Sequence, residues 1–269
     1  EEEEKHFTES RITQIPVWQP IELRDLRFRY PGAGQKDVLS EISVTIPFGK
    51  VTAIVGTSGS GKTTLVKLLL GLYQPTGGRI YVGQTPLASY DMQAWRMQCG
   101  VVAQDGYIFG DTIANNITCA PGGTDMLRLQ MAVELAQLKD YVDSLPLGLE
   151  TRIGGDGQGV SGGQKQRILI ARSLYKNPEY LFLDEATSAL DANNESAIVR
   201  NLDKFITGKT VIIIAHRLST VKNADQILVL EQGQIAEVGD HQSLLNARGR
   251  YYNLVKDQLE LDSKLSNAS

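Results

Sequence analysis

Length, composition and charge limit what this chain can be. Its 269 residues suffice for one large domain or two small ones, and a hydrophobic share of 42% is ordinary for a globular protein. The net charge is -4, and without the opening run Glu1 to Glu4 the remaining chain is neutral. Neutrality argues against the broad basic surface of a nucleic-acid-binding protein. The two cysteines form no CxxC pair and there are three histidines, so the composition favours idle thiols over a metal cluster.

The two ends of the chain have the composition of connecting segments. Residues 1–18 are polar and include Pro16, with Pro20 just beyond, which is typical of an entry linker. Because the chain begins with glutamate and has no signal-peptide pattern, we expect a fragment of a longer protein or a processed product. The longest apolar runs, such as Val211 to Ala215, are far shorter than the roughly 18 residues that span a bilayer. Residues 261–269 are expected to form a flexible tail.

The first half of the chain carries strand patterns. The stretches "IELRDLRFRY" and "LSEISVTI" alternate apolar and polar residues, which predicts antiparallel strands with one wet face. "KVTAIVG" is a short apolar strand that leads into glycines and then into "KTTLVKLLLGL", whose apolar spacing is helical. "PTGGRIYVG" predicts a further turn and strand.

The second half begins with helical periodicity and returns to strands. Residues from about 91 to 177 favour an inserted helical subdomain, although "GVVAQ" within them has the pattern of a strand. Short buried strands then alternate with helical pieces in "YLFLD", "TVIIIAH" and "QILVLEQG", as a parallel sheet requires. The stretch from 249 onward predicts a final helix.

The stretch "GTSGSGKT", from Gly56 to Thr63, matches a phosphate-binding loop in full. Its glycines let backbone N–H groups converge on phosphate oxygens, and the following helix adds partial positive charge. Lys62 would reach the β and γ phosphates, and Thr63 could place its hydroxyl on Mg²⁺. A glycine-rich turn without a ligand is the alternative, and the strand, helix and lysine together make it much the weaker one.

Several polar residues follow buried strands. Asp184 and Glu185 end "YLFLDE", where Asp184 would hold Mg²⁺ through water and Glu185 would polarise the water that attacks the γ-phosphate. His216 ends "IIIAH" and Gln104 ends "GVVAQ", so both could reach the same site. Taken singly, each of these patterns is also compatible with a structural residue at a strand end.

A second glycine-rich stretch, "GGDGQGVSGGQKQR", lacks the lysine of a phosphate loop. The helix that begins after its glycines offers an anion site by the same physics as the phosphate loop. A plain alternative is a flexible loop in which Ser161 caps that helix.

In this order, "GTSGSGKT", "VVAQ", "VSGGQ", "YLFLDEATSALD" and "IIIAHR" resemble the nucleotide-binding domain of ATP-binding cassette (ABC) transporters, from about Ile21 to Leu259. The resemblance implies an α/β fold: a P-loop NTPase (RecA-like) core with an antiparallel β subdomain and an inserted α-helical signature subdomain, together spanning 19–260. Within the family, the resemblance is strongest to exporters. The stretches "DGYIFGDTIANNI", "DANNE" and "AHRLSTVKNADQILVLEQG" are similar to bacterial peptide and bacteriocin exporters, including those with an N-terminal peptidase domain.

The resemblance also implies roles for matched residues. Tyr30 would stack on adenine, Gln104 matches the Q-loop, and Asp191 matches the D-loop at a dimer interface. Asp184, Glu185 and His216 match the Walker B aspartate, the catalytic carboxylate and the switch histidine. The Walker A loop comprises Gly56, Thr57, Ser58, Gly59, Ser60, Gly61, Lys62, Thr63 and Thr64. The signature residues that would contact nucleotide are Ser161, Gly162, Gly163 and Gln164.

In the family, two such domains bind ATP and Mg²⁺ in a head-to-tail dimer, beside a transmembrane domain at the cytoplasmic face of the cell (inner) membrane. Each signature closes over the γ-phosphate of the other copy. One departure stands out, because the usual glutamate of "TxxGExG" aligns with Gly155, and Asp156 follows it. The exact contact of this loop with the membrane domain is therefore not predicted.

Three alternatives remain besides the exporter ATPase. A non-catalytic partner in an asymmetric transporter tends to lose Glu185, His216 or the signature, and this chain keeps all three. An ABC-type ATPase of DNA maintenance needs coiled coils or basic insertions, which the sequence lacks. A small-molecule P-loop kinase does not explain "VSGGQ".

Overall fold

The structure, a computed structural model, describes residues 11–32, 34, 36–103, 106–119, 123–155, 159–184, 198, 201–202, 205–215 and 221–266, excepting the side chains of 258 and 260–266. The strands are β1 (Ile21–Phe28), β2 (Leu39–Ile46), β3 (Val51–Val55), β4 (Gly77–Val82), β5 (Thr85–Pro86), β6 (Cys99–Val102), β7 (Asp111–Thr112), β8 (Arg152–Ile153), β9 (Tyr180–Asp184), β10 (Thr210–Ile214), β11 (Gln226–Glu231) and β12 (Gln234–Gly239). The helices are α1 (Lys62–Leu69), α2 (Met92–Met97), α3 (Ile113–Thr118), α4 (Met126–Leu135), α5 (Lys139–Asp143), α6 (Gly162–Tyr175), α7 (His241–Ala247) and α8 (Arg250–Ser266).

The smaller of the two main sheets is antiparallel, with strand order β2-β1-β4-β5. Strand β1 buries Leu23 and Leu26, which are three residues apart, because the register of its pairing shifts between them. Asp25 lies in this irregular part with φ of 49°, so the strand returns its apolar side chains to one face. The predicted antiparallel strands with one wet face are confirmed.

The larger sheet has the order β12-β11-β3-β10-β9-β6 and is parallel except for β12. Its central strands are apolar almost throughout because helices cover both faces. The parallel sheet predicted from the second half of the chain is confirmed. Strand β6 belongs to this sheet, so the segment of about 91–177 contributes one core strand besides its helices.

Three apolar clusters join these layers. The first lies between the antiparallel sheet, α1 and one part of the main sheet, and it encloses Trp95, whose Nε1 donates to the Leu69 carbonyl at 2.9 Å. The second packs α3, α4 and α6 against β6 and β9. The third places α7 and α8 against β3 and β11. Helix α1, which follows the phosphate loop, is thus packed inside the first cluster.

The described part of the segment before β1, residues 11–20, is hydrogen-bonded to the domain. Ile12 donates its N–H to the Ser89 carbonyl at 3.0 Å and accepts from the Asp91 N–H at 2.9 Å. The hydroxyl of Tyr180, at the start of β9, donates to the Gln19 carbonyl at 2.9 Å. At the other end, α8 extends to Ser266, into the segment expected to be a tail. Within the described ranges, no helix combines the length and apolarity needed to cross a bilayer.

Candidate nucleotide-binding site

The phosphate loop is enclosed on two sides by residues of other segments. Gly56 has φ of 150°, and a Cβ there would collide with the Leu230 carbonyl oxygen. Gly61 has φ of 105°, and a Cβ there would lie 2.7 Å from a methyl carbon of Leu39. In contrast, no described atom lies within 4 Å of the corresponding position on Gly59. Glycine is therefore required at both flanks of the loop, while its middle faces open space.

Lys62 lies inside this loop and is only 6% exposed. Its Nζ donates to the carbonyl oxygens of Gly56 and Thr57, each at 2.9 Å. Ser60 is 2% exposed, and its hydroxyl has no hydrogen-bond partner within the described part of the chain. A positive charge, an unpaired hydroxyl and the start of α1 therefore converge on one loop, as an anion-binding site requires.

Asp184 and Thr63 lie side by side, although they are far apart in the sequence. Asp184 ends β9, which is separated from the P-loop strand β3 by β10. The Thr63 hydroxyl donates to an Asp184 carboxylate oxygen at 3.5 Å. Hydroxyl and carboxylate oxygens are the ligands that Mg²⁺ prefers, so this pair fits the predicted metal site. Among the described residues, no group of three or more His, Cys, Asp or Glu side chains could hold a metal by itself.

Tyr30 lies beside the P-loop helix. Its hydroxyl is 3.1 Å from the Thr64 hydroxyl. Its ring makes edge-type contacts with Phe28 and Tyr73, at centroid distances of 4.9 and 5.3 Å. Tyr73 was not among the predicted site residues, although an aromatic residue in "LYQP", shortly after the helix that follows the phosphate loop, is a usable signal. These contacts hold the Tyr30 ring next to the phosphate loop.

The signature residues begin helix α6. Ser161 is the N-cap: its hydroxyl accepts from the Gln164 N–H at 3.2 Å, and the Gln164 side chain accepts from the Ser161 N–H at 2.8 Å. This reciprocal capping box confirms the structural alternative for Ser161. Ser161 and Gly162 are exposed, so the helix start is also accessible from solvent. The role of Ser161 as a helix cap and the predicted contact of the signature with nucleotide are therefore compatible.

The loop before the signature lies against another glycine. Gly154 and Gly155 have φ of 67° and 49°. A Cβ on Gly155 would lie 3.6 Å from the Gly110 Cα, and one on Gly154 would lie 3.0 Å from the Phe109 carbonyl oxygen. The left-handed backbone of Gly155 gives a physical reason for glycine where the family usually has glutamate.

Four predicted site residues lie outside the described residues: Gln104, Glu185, Asp191 and His216, as does Asp156 in the preceding loop. The structure brings together Tyr30, the loop from Gly56 to Thr64, and Asp184. The enclosure of the loop by the Val38 and Leu230 carbonyls and the Leu39 side chain was not predicted, because these residues carry no motif. Burial raises the pKa of the Cys99 thiol, which keeps it protonated and unreactive, as expected of an idle cysteine.

A buried parallel strand, an enclosed phosphate loop with an inward lysine, and an acidic strand end beside the loop define a P-loop ATPase. The chain matches the family described as ABC transporter over residues 39–188, more than half of its length. It therefore belongs to the ABC transporter family, and it corresponds to the nucleotide-binding ATPase domain of ABC exporters.

Similar proteins support this assignment. The chain is 47% identical over 241 residues to an ATP-dependent lipid A-core flippase of Burkholderia orbicola, covering 89% of this chain and 40% of that protein. It is 42% identical to an ABC-type transporter MDR1 of Aureobasidium melanogenum, covering 93% of this chain and 19% of that protein. A bacterial Atm1-family ABC exporter with ATP bound has a TM-score of 0.88 and 36% identity, covering 93% of this chain and 43% of that one.

The chain thus spans less than half the length of these relatives. Because none of these three names refers to peptides, they do not support the narrower prediction of a peptide or bacteriocin exporter.

Proposed function

We propose that two copies of this chain close head to tail around two ATP molecules, and that the closure and its reversal drive an exporter's transmembrane domain. The observation that carries this proposal is the division of binding groups between an enclosed phosphate loop and an exposed helix start. The loop holds Lys62 and the unpaired Ser60 hydroxyl, whereas Ser161 and Gly162 lie open to solvent. A nucleotide held by the loop would leave its γ-phosphate for a second chain to cover.

Within one copy, the loop would bind the β and γ phosphates through its backbone N–H groups and the Lys62 ammonium. Thr63 and Asp184 would hold Mg²⁺, which neutralises phosphate charge when bound. Tyr30 would pack against adenine, and its hydroxyl contact with Thr64 would fix the ring relative to the phosphates. These residues bind and orient the substrate.

Hydrolysis needs a group that orients the attacking water. We assign this role to Glu185, with His216 at the γ-phosphate and Gln104 near the metal, because each follows a strand of the parallel sheet. The carboxyl ends of these strands would face the nucleotide, because Asp184 at one of them contacts Thr63 of the phosphate loop. Asp191 would lie at the dimer interface. Because the sequence keeps Glu185, His216 and the signature, we do not favour the alternative of a non-catalytic ATP-binding subunit.

A surface for the transmembrane domain lies beside Gly155. Tyr107 and Phe109 are 68% and 48% exposed, and the Arg172 guanidinium lies 5.2 Å from the Phe109 ring centroid. Exposed aromatic residues backed by a fixed cation are typical of an interface. We therefore place the membrane partner here, with the domain at the cytoplasmic face of the membrane and residues 1–18 as the connection to it.

The cargo is better assigned to lipids than to peptides. The peptide prediction rested on short stretches, whereas identity to the lipid A-core flippase extends over 241 residues. We propose a lipid-like amphiphile as the exported substrate. In vesicles that contain the complete transporter, the amphiphile should raise the ATPase rate and peptides should not. Stimulation by peptides alone would restore the peptide assignment.

The experiment that tests the dimer mechanism is the substitution Glu185→Gln. The variant should bind ATP normally but hydrolyse it about a hundredfold or more slowly, because the water loses its orienting carboxylate. It should therefore accumulate as an ATP-bound dimer, measured by light scattering after size-exclusion chromatography with MgATP. The matched control is Glu179→Gln, which replaces a carboxylate just before β9. Near-normal turnover in Glu185→Gln would contradict the assigned role.

A further inference from the structure

We propose that Gly233, which belongs to no nucleotide-binding motif, is a positioning residue for ATP binding. It lies in the two-residue turn between β11 and β12, where Gln232 and Gly233 have φ of 48° and 80°. Its N–H donates to the Ser60 carbonyl at 3.1 Å, and its own carbonyl accepts from the Ser40 N–H at 2.8 Å. One peptide segment thus ties the phosphate loop to strand β2.

The space around this turn leaves no room for a side chain. A Cβ on Gly233 would collide with the Val38 carbonyl oxygen and lie 3.3 Å from the Leu39 Cα. The same Val38 carbonyl oxygen would lie 3.2 Å from a Cβ on Gly61, the residue after Ser60, and a methyl carbon of Leu39 would lie 2.7 Å from it. Residues 38–40 therefore pack against both the turn and the loop. We call these three segments, which are joined by the two hydrogen bonds of Gly233 and by this packing, the loop clamp.

The loop clamp has a consequence for binding. The phosphate loop must point several N–H groups at one place, and ordering a free loop for this purpose costs conformational entropy. A loop that is already held at Ser60 and Gly61 avoids much of that cost. Loosening the clamp should therefore weaken ATP binding without changing the groups that carry out hydrolysis. This inference rests on the proposed binding of ATP at the loop.

The test compares Gly233→Ala with Gly208→Ala. Gly208 has nearly the same φ, 79°, but no described atom lies within 4 Å of its Cβ position, so alanine there adds backbone strain without displacing a neighbour. We expect the ATP dissociation constant and KM of Gly233→Ala to rise about five- to tenfold with kcat within about twofold. Gly208→Ala should lower the melting temperature with an unchanged dissociation constant.

Hydrogen exchange of the unsubstituted chain provides a test that does not depend on a variant folding. Addition of MgATP should slow exchange of the Gly233 amide about tenfold or more, because bound ATP stabilises the closed clamp in which this amide donates to Ser60. The Gly83 amide is the control, since it donates to the Pro20 carbonyl at 2.9 Å in a hairpin turn of the other sheet.

Two results would overturn the inference while leaving the proposed function intact: Gly233→Ala that folds and binds ATP normally, or a Gly233 amide that does not respond when ATP protects the phosphate loop. Failure of the unsubstituted chain to bind ATP would overturn the proposed function and the inference together.

Discussion

The two glycine-rich loops of this domain differ in what surrounds them. The phosphate loop is enclosed by the Leu230 carbonyl on one side and by the Val38 carbonyl and Leu39 side chain on the other, and its lysine is buried inside it. The signature stretch begins a helix whose first residues, Ser161 and Gly162, are exposed. Both loops offer backbone N–H groups at a helix start, so they share one means of binding phosphate.

The difference teaches how a phosphate site can be divided. An enclosed loop with its own cation can bind an anion alone, because its groups are ordered in advance. An exposed helix start without a cation binds weakly alone, and it contributes when another surface brings the anion to it. The following predictions test this division, beginning with the largest effect.

Substitution Lys62→Ala should weaken ATP binding by about a hundredfold or more, since it removes the only cation inside the described phosphate loop. The measurement is a titration with a fluorescent ATP analogue. The control is Lys67→Ala, which removes a partly buried lysine from the last turn of the same helix. Tight binding retained by Lys62→Ala would remove the distinction between the two loops.

Substitution Ser161→Asp should separate the structural role of the signature from its functional one. Aspartate is as good an N-cap as serine, so the melting temperature should stay nearly unchanged. Its negative charge should repel the γ-phosphate and lower the ATPase rate about tenfold or more, while ATP binding to a single chain should be unaffected.

Substitution Ser161→Ala is the complementary variant. It should destabilise the fold by about 1 kcal/mol because the N-cap is lost, as measured by urea unfolding. If Ser161→Asp hydrolyses ATP at the normal rate, the exposed helix start takes no part in the reaction.

The smallest effect is expected at the end of β3 opposite the phosphate loop. Asp225 accepts from the Val51 N–H at 2.8 Å and from Lys50 Nζ at 2.9 Å. Burial raises the pKa of this carboxyl, but these two donors outweigh it, so the pKa lies below its ordinary value. Its contribution to stability is therefore present above the unfolded-state pKa of about 4 and is lost as the pH falls through the lower folded value.

Asp225→Asn should lower the melting temperature at pH 7 by a few degrees at most, because the carboxylate is partly exposed. The difference between variant and unsubstituted chain should shrink as the pH falls below about 4. ATP affinity should not change. A loss of ATP affinity would show that the phosphate loop depends on the whole of β3 and not on its local enclosure.

Sequence patterns predicted those parts of the fold that local physics determines. The phosphate loop between β3 and α1, the alternation in β1 and β2, and the apolar strands of the parallel sheet all follow from short-range spacing. The two-residue pairing of β7 with β8 has too little length to show a period. The segments joined by the hydrogen bond between Ser40 and Gly233 are far apart along the chain, so no local pattern predicts this bond.

The candidate site shows the same limit. Lys62, Thr63 and Asp184 could be named from motifs, because phosphate chemistry demands those residue types. The ring contacts of Tyr30 with Tyr73, and the enclosure by Leu230, arise from packing between elements. Such contacts depend on three-dimensional proximity, which spacing along the chain does not encode.

The most direct test of the shared site mixes two chains that are each strongly impaired in ATP hydrolysis. One carries Lys62→Ala and keeps its signature, and the other carries Ser161→Asp and keeps its phosphate loop. If each site combines the loop of one chain with the signature of the other, an equal mixture should recover about a quarter of the normal ATPase rate by random pairing. Each variant alone should stay at about a tenth of the normal rate or below. A mixture no faster than the average of its two components would contradict the shared site.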